Sequence, residues 1–294
     1  MPRRPGTPEP SRPPPPSADD LAGLLPPEVE LPTGVELRRD APAEEVTSVW
    51  YGVVWGRLGR GDLAWGWFDR VRVPALGAWL AGERGRLLRE LGGHGAAEQL
   101  ELAALPAAVD PIDAALLGVS LAADAVGRAD AGLARQRLTG AQRLLAELPD
   151  SPRRDRQLLR AGWVEVEVAL LTGAAPPTHL LPRLRGDGEL ELPAPHRSGS
   201  RFHTAKGCLF AGVVRREPEL LERAAGLAPP ALLWAVHLAR ASLGAPGAEA
   251  AATAARQLVV PPPGYREVAD GPPRRPPAPA VESGPDGDPF PRPS

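Results

Sequence analysis

The sequence predicts an all-α fold, with antiparallel helix pairs stacked as a short α-solenoid between proline-rich ends expected to be disordered. Apolar side chains recur at steps of three and four residues from about Glu44 to Leu258, the spacing that lines one face of a helix. Glycine, proline and capping residues interrupt this periodicity at intervals suited to short helical hairpins. Prolines crowd the two ends: eleven of the 38 fall in residues 1–32 and twelve in residues 261–294. Because proline fixes φ and has no N–H to donate, neither end can build a helix or a sheet ladder.

Taken in order, Trp50, Val53, Val54 and Leu58 form the first apolar face. Gly59 to Asp62 break it, and Asp62 is a suitable cap for a second helix carrying Trp65, Phe68 and Val71. Pro74 stands where a third helix begins, with Leu76, Trp79, Leu80, Leu87, Leu88 and Leu91 on its stripe, and Gly92-Gly93-His94-Gly95 stops it. A short partner follows with Ala97, Leu100 and Ala104. Asp110-Pro111 pairs a capping carboxylate with proline at the first helical position, opening a helix that runs to Gly127. Its partner carries Leu133, Leu138, Ala141, Leu145 and Leu148. Ser151-Pro152 opens the next, which ends at Gly173. Within it, Trp163 to Val168 alternate apolar and acidic residues as a strand would, but the helical face continues on both sides. Residues 174–200, rich in glycine and proline, read as a long loop with an extended piece near Glu189 to Leu192. Helices are expected again over 202–214, 218–227, 230–243 and 248–258.

The organisation expected is a disordered segment at 1–40, a helical-repeat domain at 41–260 and a disordered tail at 261–294. The net charge is −2, so no global field draws the chain to nucleic acid. No apolar run reaches the roughly 18–20 residues a membrane helix needs, and Met1 to Pro16 lack the apolar core of a secretory signal. Cys208 is the only cysteine, which excludes an internal disulfide or a cysteine zinc cluster. A cytoplasmic location is expected. Lys206 is the only lysine and asparagine is absent; this bias points to a GC-rich bacterial genome, such as an actinobacterial one, and makes arginine abundance weak evidence by itself.

Gly61, Gly92 and Gly127 lie 31 and 35 residues apart. Five residues after them come Gly66, Ala97 and Gly132, and seven before them Val54, Gly85 and Ser120. Small residues at both places let paired helices approach closely. A helix–turn–helix unit with a period of about 34 residues resembles the tetratricopeptide repeat family. The resemblance covers about 44–148, and Arg70, Glu101 and Gln136 stand where that family carries an aromatic residue late in the second helix. It implies an α-solenoid whose concave face binds a protein or peptide segment.

Five of the seven tryptophans fall between Trp50 and Trp79. Trp50, Trp65 and Phe68 fit the core by spacing. Trp55 and Trp67 lie off those stripes and are the candidates for a partner-binding surface. His203 and Lys206, three apart on one expected helix, are candidates for an anion or ligand site. The histidines at 94, 179, 196, 203 and 237 have no metal-ligand spacing, and no dinucleotide, phosphate-loop, nucleophile-elbow or zinc-protease motif occurs. No catalytic residue, cofactor or metal is therefore assigned. The expected function is a non-enzymatic interaction or adaptor scaffold for a protein partner. The alternatives are an all-α small-molecule binder or enzyme with its site near His203 and Lys206, and a regulator's sensory domain. Oligomeric state is left open.

Overall fold

Capping side chains and left-handed residues set several of the helix ends. The computed structural model describes residues 43–193 and 201–265, among which eleven α-helices follow one another: α1 (Ala43–Arg57), α2 (Gly61–Phe68), α3 (Gly77–Glu90), α4 (His94–Ala104), α5 (Pro111–Gly127), α6 (Ala131–Glu147), α7 (Pro152–Thr172), α8 (Arg201–Arg215), α9 (Pro218–Leu227), α10 (Pro230–Ser242) and α11 (Ala248–Gln257). The carboxylates of Asp110 and Asp130 accept from the backbone N–H groups of Ile112 (3.1 Å) and Leu133 (2.9 Å), and the Ser151 hydroxyl accepts from that of Arg154 (3.2 Å). These bonds satisfy donors that a helix start otherwise leaves unpaired. Gly92 (φ 85°) and Gly173 (φ 68°) end α3 and α7 in the left-handed conformation. After α5 the left-handed residue is Ala129 (φ 61°). Gly127 is small for another reason: the His94 ring lies where its Cβ would be, 2.1 Å away.

The alternation at Trp163 to Val168 is helix, and burial explains it. Val164 and Val168 pack with α5 and α6, while Trp163 and Val166 pack with α8 and α9. An inner helix covered on two sides buries nearly every apolar residue, and here the two glutamates take the positions left between. The loop after α7 holds a 3₁₀ turn (Thr178–Leu180) and a two-stranded hairpin, β1 (Arg183–Leu184) with β2 (Leu190–Glu191), paired Arg183 to Glu191 and Leu184 to Leu190. Leu181 is buried in the same core as Trp163.

Neighbouring helices pack as hairpins, and α1, α3, α5 and α7 also pack on one another in series. The series continues from α7 to α8 and α8 to α10, and α10 returns to α1. Successive apolar clusters share these helices, with α3, α5 and α7 each contributing to two. Backbone bonds strengthen the return: Val260 N–H donates to the Gly59 carbonyl (2.7 Å) and Gly61 N–H donates to the Val260 carbonyl (2.8 Å). Arg256 donates to the carbonyls of Glu90 (2.7 Å) and Leu91 (2.9 Å), which α3 leaves unpaired at its C-terminus. The solenoid therefore closes on itself. Pro262 is buried, and Tyr265 donates to the Leu91 carbonyl, so the residues 261–265 that the sequence assigns to the tail belong to this closure. The segments 1–40 and 266–294, expected to be disordered, lie outside the described residues. No helix among the described residues is long and apolar enough to cross a membrane.

The small-residue rule of the repeat holds at one hairpin. A Cβ on Gly85 would stand 2.1 Å from the Glu101 carboxylate, and Ala97 is fully buried. Gly66 has no neighbour within 4 Å, and Gly132 meets only the Asp130 carboxylate, at 3.6 Å.

Candidate functional site

Charged side chains tie the serially packed helices together. Arg89 of α3 donates to Glu101 of α4 (2.7 Å) and Asp124 of α5 (3.1 Å), both carboxylates being fully buried. Burial, with Asp124 beside it, raises the Glu101 pKa although Arg89 opposes the rise. Arg153 of α7 is held by Asp110 and Asp113 (2.9 and 2.8 Å). Arg86 lies between Glu83 (2.8 Å) and Glu90 (2.6 Å). Burial disfavours both partners' charges, yet Glu90 and Glu83 raise the Arg86 pKa, and Arg86 with Arg57 holds the Glu83 carboxyl below the usual range.

A second group of cations lacks such partners. Arg160 of α7 donates to Gln157 Oε1 (2.7 Å) and Ser120 Oγ (2.9 Å), both neutral. Neither Arg160 nor Arg156, one turn earlier, has a carboxylate within 4 Å among the described residues, unlike Arg86, Arg89 and Arg153. Arg57 reaches Glu90 only at 3.9 Å, and its buried Nη1 has no hydrogen-bond partner. Its guanidinium instead lies 3.6 Å from the ring centroid of Phe202 at the start of α8. Burial and then Arg86 pull the Arg57 pKa to about 9, and burial and then Arg89 pull that of Arg160 to about 10. Since a guanidinium stays charged in a protein, these shifts mark cations held with too little counter-charge, not neutral side chains.

His203 and Lys206 enter the same cluster from α8, sharing the face that the sequence assigns them. The His203 ring stacks on Trp163 (5.3 Å between centroids) and meets Phe202 edge-on (5.6 Å). Lys206 Nζ lies 3.7 Å from Glu167 and above the rings of Trp163 (5.2 Å) and Phe210 (5.4 Å). Burial, followed by Arg57, Arg156, Arg160 and Lys206, drives the His203 pKa well below its ordinary value, so the imidazole is neutral. Burial also lowers the Lys206 pKa, against the opposing pull of Glu167. Cys208 points into the apolar core, where burial pushes its thiol up to about 11.

The two tryptophans set aside as a partner surface occupy the first hairpin. Trp55 packs against the core of α1 to α3, and its buried indole Nε1 has no hydrogen-bond partner. Trp67 stacks on Tyr51 (4.5 Å) beneath the Arg70 guanidinium (3.9 Å). Both are half-buried. Arg57, Arg156 and Arg160 were missed in the sequence because arginine was discounted as codon supply. The signal was present: Arg153, Arg156, Arg160 and Glu167 recur at helical spacing along one helix. Among the described residues no three His, Cys, Asp or Glu side chains gather as a metal site. No family model, curated protein or solved structure matches the chain.

Proposed function

We propose that the chain is a non-enzymatic interaction scaffold of tetratricopeptide-like build, which receives an anionic segment of a partner protein where α1, α7 and α8 meet. One observation carries this reading: Arg57, Arg156, Arg160 and Lys206 converge from three helices with few carboxylates to match them. Interior charge without counter-charge costs stability, and a bound anion offsets that cost. The interaction reading is favoured over catalysis because most of the side chains around His203 are cations and aromatic rings, a lining suited to holding an anion. The bacterial cytoplasm is the setting proposed for it.

Affinity capture from the native host with the wild-type chain, Arg156→Gln and Trp67→Ala tests the reading. A partner held by the wild type and by Trp67→Ala, and lost by Arg156→Gln, supports it. A partner kept by Arg156→Gln and lost by Trp67→Ala moves the interaction to the first hairpin. Substrate turnover at His203 overturns the scaffold reading.

A further inference from the structure

We infer that the cation cluster of α1, α7 and α8 binds a phosphate-type dianion, either a free phosphate or a phosphate monoester. The inference rests on reading this face as the binding site, and names the group that enters it.

Geometry makes the cluster one site. The Arg57 guanidinium covers Phe202, Phe202 abuts His203, His203 stacks on Trp163, and Lys206 lies over Trp163. Arg160 lies one helical turn from Trp163, and Arg156 one turn further along α7. Charge then selects the ligand. Arg156 and Arg160 have no carboxylate within 4 Å among the described residues, Arg57 meets Glu90 only at 3.9 Å, and Lys206 meets Glu167 at 3.7 Å. To these four cations a phosphate-type dianion brings about two charges and three or more acceptor oxygens, where a carboxylate brings one charge and two oxygens. The donor set agrees, because guanidinium forks match phosphate oxygens two at a time.

Thermal unfolding of the full chain tests this in inorganic phosphate, O-phosphoserine and acetate, with ionic strength held constant by sodium chloride. The comparison is with Arg156→Gln, which breaks no ion pair among the described residues, and with Arg57→Gln as a second variant. Inorganic phosphate at about 10 mM is expected to raise the wild-type midpoint by about 3–8 °C, the shift for a site filled roughly 10–100-fold above its Kd. Each variant is expected to weaken phosphate affinity about tenfold. An equal rise in O-phosphoserine assigns the phosphate to a ligand or partner side chain. A rise in inorganic phosphate alone assigns it to a free anion. Equal shifts in acetate, or an undiminished phosphate shift in both variants, overturn the inference. A chain that captures a partner through Arg156 yet shows no phosphate shift loses this inference and keeps the scaffold. A phosphate shift without any captured partner does the reverse.

Discussion

The Arg57 guanidinium of α1 lies 3.6 Å from the ring centroid of Phe202, which opens α8. This contact joins the first described helix to the eighth across the face where the charged side chains gather. A cation over an aromatic ring is worth about 0.5–2 kcal/mol, more as water is excluded. Urea unfolding of Arg57→Gln, Phe202→Leu and the double variant should therefore give a coupling energy in that range. A coupling near zero would make the stacking incidental to the closure of the ring.

Gly85 and Gly66 are the two small-residue positions of the sequence repeat, one seven residues before a turn glycine and the other five after one, and should respond oppositely to alanine. At Gly85 the new methyl group meets Glu101 Oε1 at 2.1 Å and Cδ at 2.8 Å, and Arg89 anchors that carboxylate. Gly85→Ala is expected to cost about 1–3 kcal/mol, as overpacking does. At Gly66 nothing lies within 4 Å, so Gly66→Ala should stabilise α2 by about 0.5–1 kcal/mol through its better helix propensity. Chemical denaturation of both variants measures the two signs directly.

Cys208 should be inert in the native chain and should make stability fall in alkali. Its thiol titrates at about 11 when folded, against 9.0 ordinarily, because burial disfavours the thiolate. A folded pKa above the unfolded one means that unfolding releases a proton over this window, so stability present below about pH 9 is lost as pH rises toward 11. The loss relative to Cys208→Ala should reach about 2–3 kcal/mol, since each pKa unit is worth about 1.4 kcal/mol. A thiol reagent at pH 8 should label the denatured chain quickly and the native chain slowly.

Gly61 leaves room for the closing segment. An alanine Cβ there would stand 2.7 Å from the Val260 carbonyl oxygen and 3.1 Å from Pro262 Cδ. Gly61→Ala should break the bridge between Gly59–Gly61 and Val260 while leaving the remaining hairpins packed. Hydrogen exchange is expected to rise about tenfold or more at the Gly61 and Val260 amides, with little change in α5 and α6. An unaltered pattern would mean that the closure makes no contribution to local stability.

Much of the helical architecture was legible because it rests on local physics. Asp110-Pro111, Ser151-Pro152 and Gly173 mark helix ends through interactions within a few residues. The strand-like run at Trp163 to Val168 was harder, because α7 lies between two cores and its pattern reports two burial faces at once. The closure was invisible: a residue such as Val260 carries no sign that it will pair with Gly59 and Gly61. His203 and Lys206 could be placed together by helical spacing, but Arg57 joins them only through the ring. The Glu101 position held a clue: a carboxylate where the repeat family has an aromatic needs a buried cation, and Arg89 is that cation.

A linear array of helical hairpins has two exposed terminal units, which come loose before the middle does. The bonds from Val260 to Gly59 and Gly61 leave this protein with no such loose unit at its first hairpin. Melting should therefore resemble the failure of a hoop, which keeps its form until one joint opens and then gives way throughout, and not the unravelling of a rope from its end.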